Sequence, residues 1–165
     1  EKRIKIKPFF INMDDVFEKF VEKLIRFYYS KYNSKYNIQP QQTTKAWTSE
    51  SLKDKNMRTD ILVSEIGTDK KFILDTKYKE HLSSNDRYQI GFYIHEFKQV
   101  EGTALLPEFE DSVDDDLTSA EGIELKLKRI NINKIIRMID EGKMNKSLHD
   151  EIGKFIRKDM QVPFK

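Results

Sequence analysis

Along residues 58–79, RTDILVSEIGTDKKFILDTKYK, apolar side chains fall in two short blocks separated by Gly67, Thr68 and Asp69. Ile, Leu, Val and Phe dominate both blocks, which predicts two strands joined by a tight turn. Three charges interrupt the pattern: Asp60 in the first strand, Asp75 and Lys77 in the second. Strand side chains alternate between faces, so Asp75 and Lys77 point the same way. If Ile66 pairs with Asp69 across Gly67-Thr68, Asp60 falls opposite Asp75 on that same face. Any even-length loop keeps this parity. The other face carries Ile61, Val63, Phe72 and Leu74, while Leu62 and Ile73 share the charged face. Apolar residues on both faces imply a sheet covered on both sides.

The same pattern places the remaining elements. Asn12 is a good N-cap, and Asp14 and Asp15 complement the dipole of a first turn. Val16, Phe17, Phe20, Val21, Leu24, Ile25 and Tyr28 recur at helical spacing, predicting a helix over residues 13–32. Residues 33–45 are polar, contain Pro40 and are expected to be a loop leading to a strand over 44–49. Trp47 is expected to pack, and 50–57 to connect to the hairpin. A second helix is expected over 86–100, with Gln89 and Tyr93 four apart on one face and Tyr93 in the core. A strand follows over 103–107. The acidic run 108–116 is expected to be a solvated loop, because its spacing does not match an EF-hand. Residues 121–132 alternate and predict a last strand. A helix over 133–141 and another opened by a Ser147–Asp150 capping box complete the chain. Residues 2–7, KRIKIK, are expected to be an edge strand or the tail of a linker. The fold expected is a mixed sheet flanked by helices, in the order helix, three strands, helix, two strands, helices.

Composition narrows the class. At 165 residues the chain suits one domain, residues 1–165, expected to be the C-terminal part of a longer protein. No apolar run approaches the roughly 20 residues needed to span a bilayer. There are no cysteines, which excludes disulfides, Cys-rich zinc sites and a Cys nucleophile, and fits a reducing cytoplasm. A net charge of +2 creates no overall field for nucleic acid, so any DNA-binding surface must come from local clustering. The C-terminal third, with Arg129, Lys134, Arg137, Lys154, Arg157 and Lys158, is the most basic part.

Two carboxylates facing each other repel, unless a cation lies between them. A hard divalent ion such as Mg²⁺, or Mn²⁺ in its place, takes one or two carboxylates and completes its shell from water and phosphate. A lysine beside it can orient a water or stabilise charge on a phosphate oxygen. Asp60, Asp75 and Lys77 therefore point to metal-assisted phosphodiester hydrolysis; an ordinary hairpin with a surface ion pair is the plain alternative. Lys79, on the same face farther out, can contact phosphate, as can Arg58.

Asp60, the apolar strand and Asp75-Thr76-Lys77 resemble the PD-(D/E)xK signature of the restriction-endonuclease-like superfamily, with Thr59 where the signature usually has proline. Together with residues 10–21, FINMDDVFEKFV, and 86–93, DRYQIGFY, the match over roughly residues 9–107 resembles the nuclease domain of the McrC family. That resemblance implies a restriction-endonuclease-like fold and an Mg²⁺-dependent endonuclease acting on double-stranded DNA in a modification-dependent restriction system. It implies a McrB-like AAA+ GTPase as partner. It places Glu18 as a third carboxylate near the metal, the Thr76 carbonyl as a ligand, and Gln89 at the catalytic centre. Cutting both strands implies a dimer on DNA. A free-standing RecB-like nuclease, an inactive DNA-binding module and an interaction scaffold are the alternatives.

Overall fold

The computed structural model describes residues 11–47, 55–110, 114–120, 122–142 and 145–165. The expectations for residues 2–7, for the end of the first strand past Trp47 and for most of the 50–57 connection lie outside them.

Helix α1, Met13–Tyr28, begins where the sequence places it: the Asn12 side chain accepts the Asp14 amide at 3.1 Å. It ends four residues before expected. Ser30 N–H turns back to Phe27 O, and the Asn33-Ser34 pair that follows favours turns over helix. Strand β1, Tyr36–Trp47, then starts eight residues earlier than expected, inside the segment read as loop. Its polar sequence and Pro40 are tolerated because β1 lies at an edge of the sheet and pairs only with β2, Lys55–Glu65.

Between β2 and β3, Lys71–Thr76, the ladder runs from Ser64↔Lys71 to Ile61↔Leu74. This is the expected register. The turn is longer than the two residues expected: Glu65 N–H closes it onto Lys70 O, and Gly67 adopts φ +83°. The loop is still even, so the parity survives. Helix α2, Ser84–Glu96, starts two residues early because Ser83 and Asp86 form a reciprocal capping box. It leads to β4, Glu101–Pro107, parallel to β3. Gly102 allows α2 to lie close on β4: a Cβ there would sit 2.8 Å from Ile94 Cγ1.

The acidic run is not all loop. Asp115–Thr118 forms an edge strand, β5, antiparallel to β6, Glu124–Ile130. The reason is charge pairing: Lys126 reaches Asp116 at 3.1 Å, and Lys128 reaches Asp114 at 3.4 Å. The six-stranded sheet thus has the order β1-β2-β3-β4-β6-β5, mixed in direction, with one strand more than expected.

Helix α3, Ile132–Asp140, and helix α4, Lys146–Gly153, follow. The expected Ser147–Asp150 box is not used. Asn145, one residue ahead of the helix, caps α4 by accepting the Ser147 amide at 2.9 Å.

Both faces of the sheet are covered. Ile61, Val63, Phe72, Leu74 and Leu105 pack with residues of α1, α3 and α4. Leu62, Ile73, Ala104, Leu106 and Leu125 pack with Ile90, Tyr93 and Ile94 of α2. Three tyrosines of the α1 end, Tyr28, Tyr29 and Tyr32, donate their hydroxyls to the carbonyls of Val162, Met160 and Pro163. Among the described residues, no helix is long and apolar enough to cross a membrane.

Candidate active site

The hairpin brings Asp60, Asp75 and Lys77 to one end of β2 and β3. Pairing stops at Ile61↔Leu74. Asp60 is next in register and takes over from the ladder with its side chain: Oδ2 accepts both the backbone amide and the hydroxyl of Thr76, each at 2.7 Å. Thr76 is thereby a clamp on Asp60. Strand alternation carries no signal for this, since it sends Thr76 to the other face. Thr59 is fully buried and donates its hydroxyl to Gln42 O at 3.3 Å.

Asp75 has no solvent exposure, and neither of its carboxylate oxygens accepts a well-formed hydrogen bond. The Lys77 ammonium nevertheless lies 2.5 Å from Oδ2, an ion pair in distance though not in hydrogen-bond angle. Burial, and then the neighbouring Asp60 charge, raise the Asp75 pKa to about 7, with Lys77 opposing them. For Lys77, burial is the largest influence and pulls the pKa down, but the contact with Asp75 and the charges of Asp75, Asp60 and Asp86 together outweigh it and the net shift is upward. Lys77 is therefore held as a cation. Its backbone amide bonds Leu105 O at 3.0 Å, which continues the β3 direction one residue past the strand and keeps Lys77 beside Asp75.

Glu18 lies on α1, largely buried, and its Oε1 accepts the Gln41 amide at 3.0 Å. Burial raises its pKa, the Gln41 bond opposes this, and the Asp60 charge adds to the rise. Among the described residues, no three His, Cys, Asp or Glu side chains gather as a metal-holding group. Glu18 is coupled electrostatically to Asp60 but does not close a tight triad with the two aspartates.

Gln89 does not reach a carboxylate. Its amide donates to the Tyr93 hydroxyl at 2.7 Å, which in turn donates to Arg58 O at 2.6 Å. This relay fixes α2 against β2 two residues before Asp60. Tyr93 is in the core as expected, but its hydroxyl also has a positioning task. Replacing Tyr93 with Phe strands the Arg58 carbonyl and the Gln89 amide. The variant is expected to lose about 1–3 kcal/mol in urea denaturation; an unchanged midpoint would show that the relay does not brace the site. The Arg58 side chain is exposed. Lys79 is engaged by Asp86 at 2.8 and 3.0 Å, within the α2 capping box, rather than standing free for phosphate. His81 is exposed.

Part of the basic C-terminal third is ion-paired within the fold. Lys134 and Lys154 share Glu151, and Arg157 pairs with Asp159. A cleft of about 800 Å³ lies beside the start of β4 and is lined by Lys98, Glu101, Lys126, Arg157 and others. It is away from the aspartate pair.

The donor set fits a hard cation. Asp75 offers a buried carboxylate whose Oδ2 faces the Lys77 ammonium, and Asp60 binds the Thr76 amide and hydroxyl through Oδ2. Oxygen-only ligands of this kind suit Mg²⁺ or Mn²⁺ rather than a thiophilic metal.

A mixed α/β domain with two acids and one lysine at a strand end is the class that fold and site define. The sequence profile of the family described as McrBC 5-methylcytosine restriction system component matches residues 1–106. The chain belongs to that family. Comparison with curated proteins gives no significant match.

Proposed function

We propose that this chain is the metal-dependent DNA-cleaving component of a McrBC-type restriction system, with a restriction-endonuclease-like fold. The observation that carries the reading is the fully buried Asp75 carboxylate, paired with the Lys77 ammonium and raised in pKa by burial and by the Asp60 charge. A carboxylate is buried in this way at a cost, and a bound cation removes that cost. Membership of the restriction family supports DNA as the substrate class and the McrB component as a partner, which this reading takes to be a McrB-like GTPase.

Asp60 and Asp75 would hold Mg²⁺ with the Thr76 carbonyl, and Glu18 would approach from α1. The ion supplies Lewis-acid polarisation of the phosphodiester and a more acidic water. The chain's own groups do the rest. The Thr76 amide and hydroxyl fix the Asp60 rotamer. Lys77 is held as a cation by Asp75, so it orients the attacking water and stabilises charge on the phosphate oxygens; it is not the proton acceptor. Gln89 and Tyr93 hold α2 and β2 in register behind the site.

Mixed with a McrB-like GTPase, GTP and Mg²⁺, the chain is expected to cut plasmid DNA carrying 5-methylcytosine and to stop when EDTA is added. No cutting of that plasmid with an active motor present would remove the nuclease reading. Digestion of linear DNA alone, without the motor, would favour the RecB-like alternative.

A further inference from the structure

Three features meet at Gln41. It lies within β1, yet its backbone is left-handed at φ +53°. Flanked by the pairs Pro40↔Ile61 and Gln42↔Thr59, it stands opposite Asp60 and is itself skipped by the ladder. Its side-chain amide donates to Glu18 Oε1 at 3.0 Å, across 23 residues of sequence.

A left-handed residue right after a proline is the position that glycine fills in a type II turn. A residue with a Cβ is strained there. Such strain persists where the surrounding structure fixes it, and it clusters at functional sites. A glycine at 41 would remove the strain but also the amide that meets Glu18. Glu18 itself is buried, on the helix that packs over the opposite face of the sheet from α2. The left-handed bend thus delivers a hydrogen-bond donor from the sheet edge, opposite Asp60, to a buried carboxylate that is coupled electrostatically to Asp60.

We infer that Gln41 is a positioning residue, whose amide holds the Glu18 carboxylate in place for the bound cation. This rests on the metal-site reading above and adds a residue to it. The Gln41 amide acts as an outer partner of a ligand, and losing such a partner typically weakens metal affinity 10–100-fold.

Calorimetric titration of the chain with Mn²⁺ tests the inference without any need for cleavage. The set is wild type, Gln41→Gly, Glu18→Gln, the double variant, and Asp75→Asn as site control. Gln41→Gly is expected to bind Mn²⁺ about tenfold more weakly. Its thermal midpoint should be unchanged or raised, because glycine relaxes the left-handed backbone. In the Glu18→Gln background, Gln41→Gly should add little further loss. Wild-type affinity in Gln41→Gly, with binding still lost in Asp75→Asn, overturns the role of Gln41 alone. An equal loss in both backgrounds, with a lowered midpoint, reduces Gln41 to a structural residue and also overturns it. Absence of Mn²⁺ uptake by the wild type sinks the metal-site reading, and this inference with it.

Discussion

Asp75→Asn is expected to reduce Mg²⁺-dependent DNA cleavage to background while making the metal-free chain more stable at pH 8. The two effects share one cause. Asp75 is fully buried, and its pKa is raised from the ordinary 3.8 to about 7, by burial first and by Asp60 second. A group whose pKa is raised on folding contributes stability that is fully present below its unfolded pKa. That stability is lost as pH rises through the folded value. The window therefore runs from about pH 4 to about pH 7, and within it the wild type should lose stability as pH rises. The asparagine variant lacks the titrating group, so this slope should vanish and its advantage should be greatest above pH 7. Urea denaturation in EDTA at pH 5 and pH 8 reads the difference directly. A slope that survives the substitution would mean that Asp75 is not the group under strain. Added Mn²⁺ should erase the advantage, because the wild type alone then gains a ligand-linked stabilisation.

Lys77→Met should lower cleavage on the order of 10²–10³-fold, the usual loss when one stabiliser of transition-state charge is removed. Metal uptake should survive or tighten, since the competing ammonium beside Asp75 is gone. The metal-free chain should become less stable above pH 7, where Asp75 would be ionised without its counter-charge. Protonation of Asp75 to a higher pH limits that loss. Parallel Mn²⁺ titration and plasmid cleavage separate the effects. If Lys77→Met binds no Mn²⁺, the lysine is needed to organise the site and its role in charge stabilisation is not supported.

The hairpin was legible in the sequence because a period-two pattern leaves little freedom: apolar residues on both faces fix the register, and the register fixes where the charges meet. Helix α1 was legible for the same reason at a different period. The errors lie where tertiary context overrides local preference. β1 contains Pro40 and few apolar residues, and it is a strand only because the edge of β2 supplies partners. β5 is a run of acids drawn into the sheet by Lys126 and Lys128. The α4 cap moved to Asn145 because one suitable side chain lay just ahead of another. Within the site, Asp60, Asp75 and Lys77 follow from alternation. The Thr76 clamp and the Gln41 bend do not, since both arise where the chain departs from regular strand geometry.

The tyrosine contacts to residues 160–163 set a condition on biosynthesis. The helix bearing Glu18 is synthesised more than a hundred residues ahead of the carbonyls of Met160, Val162 and Pro163 that its tyrosines meet. Its packing on β2 and β3 can form before them, but these three anchors cannot. A nascent chain halted short of residue 160 therefore carries the helix on the sheet with its C-terminal end unfastened.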